Sequence, residues 1–77
     1  MPDQQSRPFK DLSPSAKLVY KVLEYEGKLT QQELREETLL SQRTIYNSIR
    51  DLEEISAIDS HPCREDLRKT VYYMDNR

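Results

Sequence analysis

Residues 38–58 read TLLSQRTIYNSIRDLEEISAI, and the way this stretch folds decides how the rest of the chain is arranged. Ser41 is a helix N-cap residue, with a hydroxyl that can accept from the first free backbone N–H groups. The spacing predicts a helix from Ser41 to about Ile55. With Ile45 at the origin of a helical wheel, Ile49 and Leu52 share its side and form a core-facing stripe. Arg43, Asn47 and Arg50 fall opposite, at roughly 140–200°, with no acid among them. Arginine and asparagine carry the forked donors and acceptors that suit guanine and adenine edges in a major groove. An ordinary solvated helix face shows the same pattern, so the flanking chain has to decide.

Working outward toward the N-terminus, Thr38-Leu39-Leu40 makes a tight corner whose leucines are expected to lock two helices at a steep angle. Before it, Thr30-Gln31-Gln32-Glu33 matches a capping box, with Thr30 as N-cap and Glu33 at the third helical position. The helix it opens is brief, anchored by Leu34 and closed near Glu37. Helix, short corner and second helix form a helix-turn-helix signature, although the corner lacks the glycine often found there. Lys28-Leu29 is expected to be no more than a bridge-length strand. Gly27, the only glycine of the chain, is placed to end a preceding helix in a left-handed cap.

That preceding helix starts at Ser13-Pro14, serine as N-cap and proline at the first helical position. Ala16, Val19 and Leu23 form one apolar stripe on it; Leu18, Val22 and Tyr25 form a second beside the first. So wide an apolar arc either wraps a small core or contacts a further surface, most simply another copy of the chain. Residues 1–11 are polar, hold two prolines and show no periodicity, and are read as a flexible arm. The remainder, 12–77, is read as one domain.

Toward the C-terminus, Ala57–His61 and Arg68–Met74 are strand segments, the second rich in β-branched and aromatic residues. The polar run Pro62-Cys63-Arg64-Glu65-Asp66 between them is a hairpin loop. The fold class is therefore α+β and mostly α: three helices with a two- to three-stranded antiparallel wing.

Seventy-seven residues, 35% apolar and 34% charged, allow one compact core built from a few helix faces. No apolar run approaches the ~18–20 residues of a membrane span, and nothing at the N-terminus resembles a secretion signal. One cysteine leaves no internal disulfide and fits a reducing compartment. The chain is expected in the cytoplasm. A net charge of −2 argues against a sequence-independent nucleic-acid coat, which needs many phosphate-neutralising cations. The charge is unevenly placed, however: residues 41–50 hold two positive and no negative side chains.

This order of elements, with LTQQELREETLLSQRTIYNSIRDLEEISAI as a helix pair and RKTVYYM as a returning wing strand, resembles a winged helix-turn-helix domain of the MarR type, especially its short archaeal members. The resemblance covers about Leu12 to Met74. One departure is visible, because Ser56 stands where such domains commonly place a glycine after the recognition helix. A non-glycine residue in a left-handed cap costs on the order of 1 kcal/mol, so this turn is expected to be strained or differently built.

The resemblance implies a DNA-binding surface on Ser41, Gln42, Arg43, Thr44, Tyr46, Asn47 and Arg50. Arg43 and Asn47 are implied to face base edges, since the N-terminal half of a recognition helix enters the groove. Arg50 would then meet a phosphate, and Tyr46 either stacks on the backbone or packs beside Leu39, with packing preferred. Thr30 and Gln31, at the start of the preceding helix, would lie by the phosphates. Arg64, Arg68 and Lys69 on the wing would reach the adjacent backbone or minor groove.

Other chemistry is thin. His61 and Cys63 supply only two of the three or four ligands that a stable zinc site needs. Cys63 is read as an inert surface thiol, with oxidation as the alternative. No glycine-rich phosphate loop, nucleophilic triad or paired carboxylate can be picked out, so no enzyme, cofactor or small-molecule substrate is expected. The favoured expectation is a sequence-specific double-stranded DNA-binding transcriptional regulator, nucleoid-associated and working as a homodimer. Its competitor is a winged-helix module that binds protein within a transcription-related complex, with Tyr20, Tyr25, Tyr72 and Tyr73 as an anchor patch.

Overall fold

Each of the three helices begins on a hydroxyl that caps its first turn. In a computed structural model that describes residues 11–75, helix α1 runs Pro14–Glu26, α2 Gln31–Thr38 and α3 Gln42–Glu54. The Oγ of Ser13 accepts from the Ala16 N–H at 3.2 Å, and Ser41 Oγ accepts from Thr44 N–H at 3.2 Å. Thr30 and Glu33 complete the capping box: Thr30 Oγ1 accepts from Glu33 N–H at 3.2 Å and Glu33 Oε1 from Thr30 N–H at 2.8 Å. These contacts satisfy donors that a helix start otherwise leaves open. The arm expected over 1–11 lies outside the described residues, except for Asp11.

Strands β1 (Lys28–Thr30), β2 (Ile58–Pro62) and β3 (Thr70–Met74) form an antiparallel sheet in the order β1-β3-β2. Lys28–Thr30 exceeds the bridge expected there, because β3 offers it a full partner: Lys28, Leu29 and Thr30 pair with Tyr73, Tyr72 and Val71. A strand this short is stabilised by its neighbour rather than by its own propensity. On the other edge, Ile58 pairs with Met74 and Pro62 with Thr70, so β2 and β3 form the wing hairpin.

The core is the meeting of one stripe from each element. Ala16, Val19 and Leu23 of α1 face Ile45, Ile49 and Leu52 of α3, with Leu34 from α2 and Leu29, Ile58 and Tyr72 from the sheet. All of these are buried. Ser48 joins them on the apolar side of α3 and is buried too. Leu12 closes the end of the cluster ahead of α1.

Each helix is followed by a residue of positive φ. Gly27 has φ 97° and ψ −84°, so the cap takes a positive φ but lies outside the left-handed helical region that was expected. Only glycine adopts such a conformation readily. At the corner between α2 and α3, the missing glycine is replaced by Leu39 at φ 62°, ψ 18°. This corrects the expected role of that leucine: its side chain is 88% exposed, and Leu40 alone packs against the core. The corner is tied instead by Thr38. Thr38 Oγ1 donates to Leu34 O at 2.7 Å and accepts from Leu40 N–H at 3.2 Å.

After α3, Ser56 takes φ 60°, with its N–H donating to Glu53 O at 3.0 Å and Ala57 N–H to Leu52 O at 2.9 Å. That pair of bonds is the Schellman arrangement usually ended by glycine. The turn keeps its ordinary form and places a serine in a strained conformation, at a cost of about 1 kcal/mol.

Candidate nucleic-acid interface

Burying Ile45, Ile49 and Leu52 fixes the rotation of α3 and so dictates what the helix shows outside. Arg43, Asn47 and Arg50 are exposed. Among the described residues they make no ion pair or side-chain hydrogen bond. Their spacing of four and then three residues sets them in one row. Seven residues of helix rise about 10 Å, the span of about three base pairs. By the same periodicity Glu54 lies at about 180° on the wheel, one turn past Arg50. The positive row is therefore confined to the first two and a half turns, and an acid follows it.

Around this row the other expected residues are placed unequally. Gln42 is exposed, and Ser41 and Thr44 are tied together at the helix start, Ser41 Oγ donating to Thr44 Oγ1 at 3.0 Å. Tyr46 is 55% exposed and Leu39 88% exposed, so both stand largely in solvent at the start of α3. Thr30 uses its hydroxyl as the cap of α2. The Gln31 amide donates to Tyr72 Oη at 3.3 Å, which fastens the start of α2 to β3 and leaves the backbone N–H and the second amide N–H as the donors on offer. Thr30, Gln31 and Gln32 line one wall of a cleft of about 210 Å³; Arg68, Lys69 and Thr70 line the other. The cleft thus joins the N-terminus of α2 to the base of the wing, a place where partial positive charge of the helix and cationic side chains reinforce one another.

On the wing, Arg64 and Lys69 are exposed, whereas Arg68 is engaged. Its Nε donates to Asp66 Oδ1 at 3.0 Å, its Nη2 to Oδ2 at 3.2 Å and its backbone N–H to Oδ1 at 3.1 Å. The Arg68 side chain holds the Asp66 carboxyl below its usual 3.8, its backbone N–H adds to this, and the Arg68 guanidinium is raised in return by Asp66. A carboxylate lowered in this way keeps its pairing above the ordinary carboxylate range and loses it as pH falls through the lowered value. Sequence reasoning placed Arg68 with Arg64 and Lys69 as wing contacts and did not foresee this pair. The signal was an aspartate at the first position of a turn, where its side chain reaches the N–H two residues on.

The four tyrosines do not form one patch. Tyr72 is buried on the core side of β3, and its neighbour Tyr73 stands on the opposite side of the sheet, as strand alternation requires. There the Tyr73 ring lies 5.4 Å from the His61 ring, with Lys28 Nζ 5.6 Å above it. Tyr20 and Tyr25 are separated by about 140° around α1. Cys63 is half-buried with Sγ donating to Glu65 Oε1 at 3.5 Å. Among the described residues no three metal-ligating side chains cluster, and no helix is long and apolar enough to cross a membrane.

A family model for an HTH domain matches residues 15–64 of the chain. No curated protein matches it. Among solved structures it is similar to Streptococcus pneumoniae FabT in complex with DNA, at TM-score 0.78 and 20% identity over 91% of this chain and 49% of that one. It is similar to a probable transcriptional regulator from Pseudomonas aeruginosa at TM-score 0.81 and 19% identity, over 87% and 51%. A mutant MarR from E. coli complexed with operator DNA aligns at TM-score 0.79 and 13% identity, over 87% and 48%. At these identities the likeness is one of fold, a winged helix-turn-helix of the MarR type. The chain spans about half the length of the solved structures it matches.

Proposed function

The chain belongs to the HTH-domain family, and from that premise we propose that it is a sequence-specific double-stranded DNA-binding transcriptional regulator. In this reading α3 enters the major groove, with Arg43 and Asn47 at base edges and Arg50 on a phosphate. The start of α2 and the wing hold the flanking backbone. The observation that carries the reading is the exposed, unpaired row of Arg43, Asn47 and Arg50 opposite a fully buried stripe. FabT and MarR, whose folds it shares, are solved with DNA, which supports the same use of the fold here. The dispersed tyrosines remove the anchor patch on which a protein-binding role would rest. The role is that of a binding module rather than an enzyme, working in the cytoplasm on the nucleoid.

A homodimer belongs to this reading. One helix reads four or five base pairs, and two symmetric copies approximately square the selectivity. The second stripe of α1 is available for such a contact: Leu18 is 42% exposed and Tyr25 87% exposed.

Fluorescence anisotropy on a labelled duplex at rising salt tests the proposal. Each phosphate neutralised contributes about −0.9 to the slope of log K against log salt. Contacts from Arg50, Arg64, Lys69 and the α2 start predict a slope of about −3 to −4 per copy. Absence of binding at low salt, or affinity independent of salt, would contradict it.

A further inference from the structure

We infer that Leu67 is the side chain that the wing carries into the minor groove, and that it selects against guanine–cytosine pairs at the step it covers. The inference rests on the DNA-binding reading above and goes beyond the cationic contacts assigned to the wing there. Between β2 and β3 the chain turns through Asp66-Leu67-Arg68-Lys69, closed by Lys69 N–H donating to Asp66 O at 2.9 Å. Cys63 N–H donates to Lys69 O at 2.9 Å just below it. The Asp66 carboxylate then clamps Arg68 through backbone and side chain together. Aspartate at the first position is what such a turn favours.

Leu67 occupies the second position, at the apex, and is 76% exposed. It is the only aliphatic side chain between Cys63 and Thr70. A lone exposed leucine is ordinary on a protein surface. This one differs because the turn beneath it is closed by the Lys69–Asp66 backbone bond and clamped by the Asp66–Arg68 bonds, so the leucine is held exposed on an ordered turn. Arg68, its neighbour, has two of its side-chain donors held by Asp66 within the turn, so the pair stiffens the loop on which Leu67 stands. Arg64 and Lys69 are exposed nearer the base of the loop, where phosphates on either groove wall would meet them.

The chemistry of the groove then sets the preference. A minor groove is walled by sugars, and apolar side chains are among those that proteins insert there. Adenine–thymine pairs present only acceptors on its floor; guanine–cytosine pairs add the guanine N2 amine. An aliphatic side chain supplies no acceptor for that amine and displaces the water that would serve it.

The test uses the whole chain and a duplex recovered from a random-sequence pool, with each position flanking the major-groove site made A·T, inosine·C or G·C. Inosine lacks only the N2 amine. At the step under the wing, the wild-type chain is expected to bind the A·T and inosine·C duplexes alike and the G·C duplex about five- to tenfold more weakly. Leu67→Ala is expected to bind all three within about twofold, with an unchanged melting temperature because the side chain is exposed. Equal wild-type binding to the three at every flanking position, or discrimination that survives Leu67→Ala, would overturn the inference while leaving DNA binding intact. Failure of the wild-type chain to bind any duplex would overturn the underlying reading and this inference with it.

Discussion

Replacing Arg43 and Asn47 together by alanine is expected to reduce discrimination between a preferred duplex and its scrambled counterpart by about a hundredfold or more. Each bidentate contact to a base edge accounts for about 1–3 kcal/mol of discrimination, and the two residues occupy the same row one turn apart. Because they are neighbours, their effects are coupled, and the double variant is a safer measure than the sum of two singles. Affinity for the scrambled duplex should fall far less, since it rests on phosphates that other residues hold. Arg50→Ala provides the contrast within the same titration: a loss spread evenly over all sequences, with the salt slope shallower by about one. Both side chains are exposed, so a change in melting temperature would not accompany the loss. The ratio of dissociation constants for the two duplexes measures it, and a ratio unmoved by the double substitution would place the reading surface elsewhere.

Ile45→Ala is expected to destabilise the fold by about 3 kcal/mol, within the range of 2–5 for isoleucine truncated in a core. Ile45 is fully buried between α1 and α3, and its neighbours there are helix side chains that collapse only partly into a void. A chain of this size has roughly 4–12 kcal/mol of total stability, so this one change removes a large share of it. The melting temperature should drop by about 12–24 °C. The consequence for function is specific, because the isoleucine stripe is what turns the arginine row outward. A loss of less than about 1 kcal/mol in a denaturant titration would mean that α3 is not seated as described.

What the sequence disclosed and what it hid divides along the range of the interactions involved. The three caps at Ser13, Thr30 and Ser41 were legible because a cap involves residues no more than three apart. The stripe of Ile45, Ile49 and Leu52 was legible because helical periodicity is local as well, and it fixed the opposite face at the same time. The true length of β1 was hidden, since Lys28–Thr30 becomes a strand only through its pairing with β3, more than forty residues away. The outward turn of Leu39 was hidden for a different reason: a leucine rarely takes a positive φ, so nothing in its identity announced that it would stand in solvent. On the wing, the charges of Arg64, Arg68 and Lys69 could be counted, but their partners could not. Asp66 holds two of the side-chain donors of Arg68, and the turn that this pair helps to close is what brings Leu67 into view. The tyrosines teach the same lesson, because Tyr72 and Tyr73 are adjacent in the chain and lie on opposite sides of a sheet.

The strained residues also bear on how the corner works. Leu39 and Ser56 both hold left-handed conformations at the two ends of α3, each at about 1 kcal/mol. The helix between them is thus set at its angle by turns that packing maintains, not by turns that the residues themselves prefer. Its orientation follows from the buried face, which is why the core and the proposed reading surface are two sides of one fact.

The most direct measurement is a two-dimensional NMR titration of the isotope-labelled chain with the selected duplex, following backbone amides together with the side-chain groups of Arg43, Asn47 and Arg50. The predicted result is that the largest shifts fall on residues 41–50, with a second set on the wing at 64–69, while Ala16, Val19 and Leu23 barely move. Shifts confined to the exposed stripe of α1, with Arg43 and Asn47 unmoved, would contradict the account.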